Sequence, residues 1–184
     1  MSFFKNRKIA VLITVIVIVA ATLFSVNRSL DRFTRDTEAM FYDGVYIEGA
    51  GYTQPGIAEQ IDRYTDATLG LTTLLINYPE LHDSAEVVLE QRRALIGAES
   101  ISAKGLAFRL LSGNVYGLIK AAANVDLRQR DIEDVSYYAA TIDGADTFIR
   151  DSAYDHTVSV LLNEQSFITR VLKRVLPVRD PEMF

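Results

Sequence analysis

Eighteen consecutive residues without a charged side chain, Ile9 to Val26, constrain this chain more than any other feature. At about 1.5 Å rise per residue, a helix of that length reaches roughly 27 Å, close to the thickness of the hydrocarbon core of a bilayer. The only ionisable side chains before it are Lys5, Arg7 and Lys8. The pattern predicts one transmembrane helix over residues 9–26, preceded by a cytoplasmic N-terminus over residues 1–8.

A cleaved signal peptide is the alternative, since it shares the basic start. Its apolar core is usually about 7 to 15 residues long and ends in a small-x-small cleavage site. Here the run is longer and passes through Leu23-Phe24-Ser25-Val26 directly into Asn27-Arg28. We therefore expect a retained signal anchor in a bacterial cytoplasmic membrane, with residues 27–184 outside the cytoplasm.

The outer part of the chain is acidic. Its 158 residues contain 16 basic and 24 acidic side chains, a net charge of −8. Such a balance disfavours nucleic acid as a partner. The absence of cysteine means that no disulfide stabilises this part, which suits an exported domain without fixing its compartment.

Apolar residues at helical spacing predict an all-α outer domain, a single unit over residues 27–184. Residues 27–42 are expected to continue from the membrane as a stalk. Four glycines and a proline interrupt residues 43–56, which predicts a loop with exposed tyrosines. An amphipathic helix from Ile57 should then end at Pro79.

Cap residues predict the next two helices. Ser84 is expected to cap a short helix that Gly97 ends in a left-handed conformation. Ser100 or Ser102 should open the following helix. Within that helix, the Gly113-x-x-x-Gly117 spacing indicates one close helix contact in the soluble core.

The clearest repeat begins near Arg130 and predicts a long helix with a kink or break near Asp151. Its apolar seam passes over Asp146, His156 and Asn163. The seam residues are Val135, Ala139, Ile142, Ile149, Ala153, Val160 and Phe167. A final amphipathic helix from Phe167 to Leu176 is basic.

No catalytic motif emerges from this pattern. His82 and His156 stand 74 positions apart with no second histidine at helical spacing, so no metal motif forms around them. His82 is interpreted as solvated and His156 as a packing histidine. No serine lies in a G-x-S-x-G elbow, and no glycine-rich segment continues into a phosphate-binding Gly-Lys-Ser or Gly-Lys-Thr. We infer no cofactor, metal or small-molecule substrate.

The order of the segments resembles the LemA family, of which this chain would be a divergent member. The resemblance rests on the single N-terminal span and on short motifs after it. These motifs are Asn27-Arg28-Ser29-Leu30, Phe41-Tyr42-Asp43-Gly44, Tyr154-Asp155, Leu162-Asn163-Glu164, Phe167 and Val175-Leu176-Pro177. The likeness implies a membrane anchor followed by an antiparallel helical bundle, and it implies no catalytic residue. Phe167 is followed by Ile168 where the family favours proline.

Three functional hypotheses follow. The first is a non-enzymatic protein that acts through contacts with an envelope or membrane protein. Its candidate partner-binding residues are Tyr42, Tyr46, Tyr52, Tyr154 and Asn163, and for Tyr154 and Asn163 a structural seam between helices is the first interpretation.

The second hypothesis is a membrane-tethered enzyme that uses His156 with Asp155 or Asp151. The third is a bundle whose basic end, Arg170, Lys173 and Arg174, contacts lipid, the alternative being the ordinary basic last turns of a helix.

Overall fold

The computed structural model describes residues 7–165 and 167–184. The described part is mainly helical, with one short two-stranded sheet, which confirms the all-α prediction. Its elements in chain order are α1 (Arg7–Asp43), β1 (Val45–Ile47), β2 (Tyr52–Gln54), α2 (Ile57–Leu75), α3 (His82–Gly97), α4 (Ile101–Ala122), α5 (Gln129–Arg150), α6 (Tyr154–Asn163) and α7 (Phe167–Val175).

Helix α1 runs without a break from the apolar segment into the outer domain. Within the described residues, it contains the one segment that is long and apolar enough to cross a membrane. Its second half is not a free stalk, because Leu30, Thr34, Thr37 and Phe41 are buried at three- and four-residue spacing. The expected stalk is therefore a wall of the bundle.

Helix α2 is the centre of the bundle and packs along α5 on one side and α3 on another, while α3 packs on α4. The core contains Tyr64, Leu71 and Leu75 from α2, with Leu111 from α4 and Ile142 from α5, all fully buried. The apolar spacing of α2 predicted this face correctly. The helix ends at Leu75, four residues before Pro79, because residues 76–81 form successive turns.

The cap predictions had mixed outcomes. Ser100 caps α4 as predicted, its hydroxyl oxygen accepting the backbone N–H of Ala103 at 3.1 Å. Ser84 does not cap α3, which already begins at His82. Gly97 is the last residue of that helix and does not have a positive φ. The chain leaves α3 through an extended Ala98 instead.

Close helix contacts occur at other glycines than the predicted pair. A Cβ at Gly113 or Gly117 would meet nothing within 4 Å, so the expected core contact at these positions is wrong. A Cβ at Gly105 would lie 2.4 Å from the backbone of Phe184, and one at Gly70 would lie 2.4 Å from the Tyr138 ring.

The predicted break near Asp151 is confirmed, since α5 ends at Arg150 and α6 begins at Tyr154. The break changes the phase of the helical pattern. Val158 is fully buried, whereas the predicted seam residue Val160 is largely exposed. A seam drawn straight through the break was therefore wrong for α6.

The C-terminal tail, Pro177–Phe184, returns along α1. The Thr34 hydroxyl donates to the carbonyl of Arg179 at 2.9 Å. Farther along, Glu38 accepts the backbone N–H of Glu182 at 3.1 Å. The ring of Phe184 lies 5.5 Å from that of Phe41. The tail covers the face of α1 that would otherwise be exposed.

Candidate functional site

The hairpin formed by β1 and β2 carries two of the exposed tyrosines that the sequence predicted, and the third lies beside it at the end of α1. Tyr42, Tyr46 and Tyr52 are 55%, 62% and 55% exposed. The strands pair antiparallel, with Tyr46 opposite Thr53 and Tyr52 opposite Ile47. Because neighbouring positions on a strand point to opposite faces, Tyr46 and Tyr52 lie on opposite faces of the hairpin. We call these three side chains and the two strands the tyrosine hairpin.

Glycines fix the course of the chain into and out of the tyrosine hairpin. Gly44 has a φ of 95°, and a Cβ there would lie 2.1 Å from the carbonyl oxygen of Gln54. At Gly56, a Cβ would lie 2.2 Å from the carbonyl oxygen of Tyr42. Larger residues would separate the two ends of the hairpin, so both positions require glycine.

The tyrosine hairpin is attached to the break between α5 and α6. The Gln54 side chain accepts the backbone N–H of Ala153 at 2.9 Å and donates to the carbonyl of Asp151 at 3.4 Å. Val45, on the face opposite Tyr46, is buried in the core. These contacts hold the exposed side chains on a defined base, which lowers the entropy lost when a partner binds.

A polar cleft between α4 and α5 is the second feature, and sequence reasoning missed it. Asp146 is 4% exposed. Its carboxylate accepts hydrogen bonds from Arg150 Nε at 2.6 Å, from the Tyr116 hydroxyl at 3.2 Å and from Ser112 Oγ at 3.2 Å. The signal was the four-residue spacing of Asp146 and Arg150, which the apolar seam obscured.

A cavity of about 450 Å³ opens over this polar cleft. Arg109, Arg150, Asp155 and Phe184 contribute to its lining. Burial raises the pKa of the Tyr116 hydroxyl, and the charge of Asp146 raises it further. Since Asp146 is already neutralised by Arg150 and no histidine contributes to the lining described, Ser112 has no free base beside it.

Tyr154 and Asp155 hold the tail in place. The Tyr154 hydroxyl donates to the carbonyl of Glu182 at 2.7 Å, and Asp155 accepts the backbone N–H of Phe184 at 2.8 Å. Tyr154 is fully buried, and burial raises its pKa. Asn163 is exposed at the end of α6, so the two residues do not share a seam.

His82 is exposed, as predicted, but the surroundings predicted for His156 are wrong. His156 is exposed on α6 rather than packed between helices. Asp155 is turned to the tail, and Asp151 lies in the exposed turn before α6. At the start of α3, His82 Nδ1 lies 2.9 Å from the carbonyl oxygen of Ile76. This hydrogen bond raises the pKa of His82.

The three basic residues predicted for lipid contact lie on α7 and differ in exposure. Arg170 and Arg174 are exposed. Lys173 is folded inward, its side chain 10% exposed and paired with Asp180. Its ammonium group also lies 5.8 Å from the centre of the Phe33 ring on α1.

Comparisons with protein-family models, with curated proteins and with solved structures found no match to this chain. The LemA resemblance therefore stays a prediction.

Proposed function

We propose that this protein is a single-pass membrane protein whose helical domain lies outside the cytoplasm of a bacterial cell and binds an envelope protein through the tyrosine hairpin. Its role is then binding rather than catalysis. The exposure of two tyrosines on a hairpin fixed to the bundle, and of a third beside it at the end of α1, supports this proposal. Tyrosine contributes a large amphipathic contact area and is enriched in protein interfaces.

The position of the hairpin also supports the proposal. It follows directly after α1, whose residues 27–43 would reach roughly 25 Å beyond the apolar segment at about 1.5 Å per residue. Because this part of α1 is an unbroken helix that packs on the bundle along one face, the distance between the apolar segment and the hairpin is fixed. The hairpin is thereby presented away from the bilayer, where a partner protein can reach Tyr46 and the exposed part of Tyr52.

A catalytic role is less well supported. His156 and Asp155 point to different surroundings, and the polar cleft pairs its carboxylate with an arginine. The buried Tyr154 and Asp155 are engaged with the tail, which supports a structural role for this pair. We therefore place partner recognition on Tyr42, Tyr46 and Tyr52.

Site-specific photocrosslinking tests this proposal. A photoreactive phenylalanine analogue replaces Tyr46, Tyr52 or, as a control, the exposed Tyr137 of α5, in cells that make the full chain. We expect a discrete crosslinked product from a hairpin position and none of that size from Tyr137. The same products at all three positions, or none from the hairpin, would contradict the proposal. A comparison of Tyr46 with Tyr52 identifies the face that binds.

The topology can be tested separately, because the chain has no cysteine. A single Tyr137→Cys substitution provides one label site in the outer domain. A membrane-impermeant maleimide should label it in intact cells with an accessible periplasmic or outer surface. Labelling only after the cytoplasmic membrane is permeabilised would place the domain inside. N-terminal sequencing of the mature protein would show whether the anchor is retained.

A further inference from the structure

The C-terminal half of the chain places α7 beside the part of α1 that follows the apolar segment. Lys173, near the end of α7, lies against Phe33. Farther along the chain, the carbonyl of Arg179 accepts a hydrogen bond from the Thr34 hydroxyl. Phe33 is seven residues after Val26, roughly 10 Å along a helix. Because α7 is nine residues long and contacts Phe33 near its end, every residue of α7 lies within about 13 Å of Phe33 along the axis of α1.

The outer domain carries most of its basic and most of its acidic side chains in different places along the axis of α1. Residues 27–35 and 164–176 contain six basic and two acidic side chains, a net charge of +4. The remaining residues of the outer domain contain 10 basic and 22 acidic side chains, a net charge of −12. A domain that is acidic overall thus has a basic end beside the apolar segment.

Five of the basic side chains at this end are exposed. They are Arg28, Arg32 and Arg35 on α1 with Arg170 and Arg174 on α7, and we call them the basic collar. Lys173 is excluded because Asp180 pairs with it. Between the two α7 arginines, Val171 is 41% exposed, so apolar and basic surface lie together as in helices that rest on a bilayer.

We infer that the basic collar binds the headgroups of anionic phospholipids in the leaflet from which the outer domain emerges. This inference rests on the proposed membrane anchoring and adds to it a fixed orientation of the domain. A basic side chain near an anionic membrane surface is attracted to the lipid headgroups. The acidic remainder of the domain is repelled by the same surface, so both charges favour one orientation.

Energy transfer in nanodiscs measures this contact with the full chain. A Val171→Cys substitution provides a unique donor site, and a headgroup-labelled lipid is the acceptor. Discs contain phosphatidylcholine alone or an equal mixture with phosphatidylglycerol. We expect higher transfer in the mixed discs at low salt and loss of this increase at high salt, since salt screens exposed charges.

Variants assign the effect to the collar. Arg170→Gln with Arg174→Gln should reduce the increase that phosphatidylglycerol causes, whereas Arg170→Lys with Arg174→Lys should retain it. Arg93→Gln with Arg130→Gln removes two exposed charges elsewhere and should leave it unchanged. Circular dichroism of each variant, compared with the parent chain, confirms that the helices are intact.

The outcomes separate this inference from the proposed anchoring. If the chain inserts into both kinds of disc and transfer does not depend on phosphatidylglycerol, the headgroup contact is overturned and the anchoring stands. An equal loss in the glutamine and lysine variants would also overturn the charge-based contact. If the chain does not remain with the discs, the anchoring itself fails.

Discussion

The two halves of helix α1 have opposite surroundings although they form one continuous helix. In the first half, apolar side chains such as Ile16 and Phe24 are exposed on all sides, with Phe24 71% exposed. In the second half, Phe41 is fully buried while its neighbour Tyr42 is exposed. The first half lacks a protein partner in the described residues, and the second half has one along a single face. One continuous backbone thus has two kinds of surroundings, and the difference comes from its side chains.

The largest effect is expected from charges in the first half. Ile16→Asp with Val17→Asp should oppose membrane insertion by about 6 kcal/mol, because each apolar-to-Asp change at the centre of a span costs roughly 3 kcal/mol. Alkaline carbonate extraction of membranes then releases the variant. Ser29→Asp, on an exposed position of the second half, is the matched control and should stay in the membrane. Retention of the double variant would refute a span at residues 9–26.

The second half should be sensitive to cavities instead. Phe41→Ala removes a ring that contacts both Tyr154 and Phe184 and should lower the free energy of unfolding by about 3–5 kcal/mol. Denaturant unfolding in detergent measures the change. Tyr42→Ala, one position away and exposed, should cost under about 1 kcal/mol. Equal losses at both positions would mean that the second half is not packed as described.

Glycine substitutions on α4 test the tail that covers the second half. Gly105→Ala should destabilise the fold by about 1–3 kcal/mol, because its methyl group overlaps the backbone of Phe184. Gly113→Ala should stabilise it by about 0.5–1 kcal/mol, since the site is open and alanine favours a helix. The difference between their unfolding midpoints is the measurement. A stabilising Gly105→Ala would indicate that the tail does not rest on α4.

The smallest effect is a dependence of stability on pH. The pKa of Glu182 is lowered, chiefly because the backbone N–H of Ser102 donates to its carboxylate at 3.0 Å. A lowered folded-state pKa gives stability that is complete above the unfolded pKa, 4.5, and is lost as the pH falls through the folded value. Glu182→Gln should cost about 1 kcal/mol at neutral pH.

The control for this prediction is Glu48→Gln, which removes an acidic side chain of the tyrosine hairpin, away from the tail. Unfolding of each variant is followed from neutral pH to below pH 4.5. As the pH falls, the free energy of unfolding should decline less for the Glu182 variant than for the parent chain. For the Glu48 variant it should decline as much as for the parent. If the free energy of unfolding depends on pH in the same way in all three proteins, Glu182 does not contribute to the loss of stability in acid.

The candidate site was predictable only in part. Tyr42 could be predicted as exposed because it lies beside the loop, and Tyr46 and Tyr52 because glycines and a proline around them exclude a long helix. Their placement on opposite faces depends on the pairing of Tyr52 with Ile47, which no local pattern specifies. The polar cleft was hidden because Asp146 interrupts an apolar seam, and its partners Ser112 and Tyr116 come from another helix. Tyr154 was identified, but its partner Glu182 lies 28 residues away.

The sequence by itself determined the apolar segment, the all-α class, the cap of α4 and the break after Arg150. Each of these follows from residues within a few turns of one another, where spacing and side-chain chemistry act directly on the backbone. Only the tertiary structure decided that the second half of α1 is a covered wall, that the tail follows it, and that basic side chains of α1 and α7 lie at one end. Those features depend on contacts between distant residues, and their free energy appears only when the helices have packed.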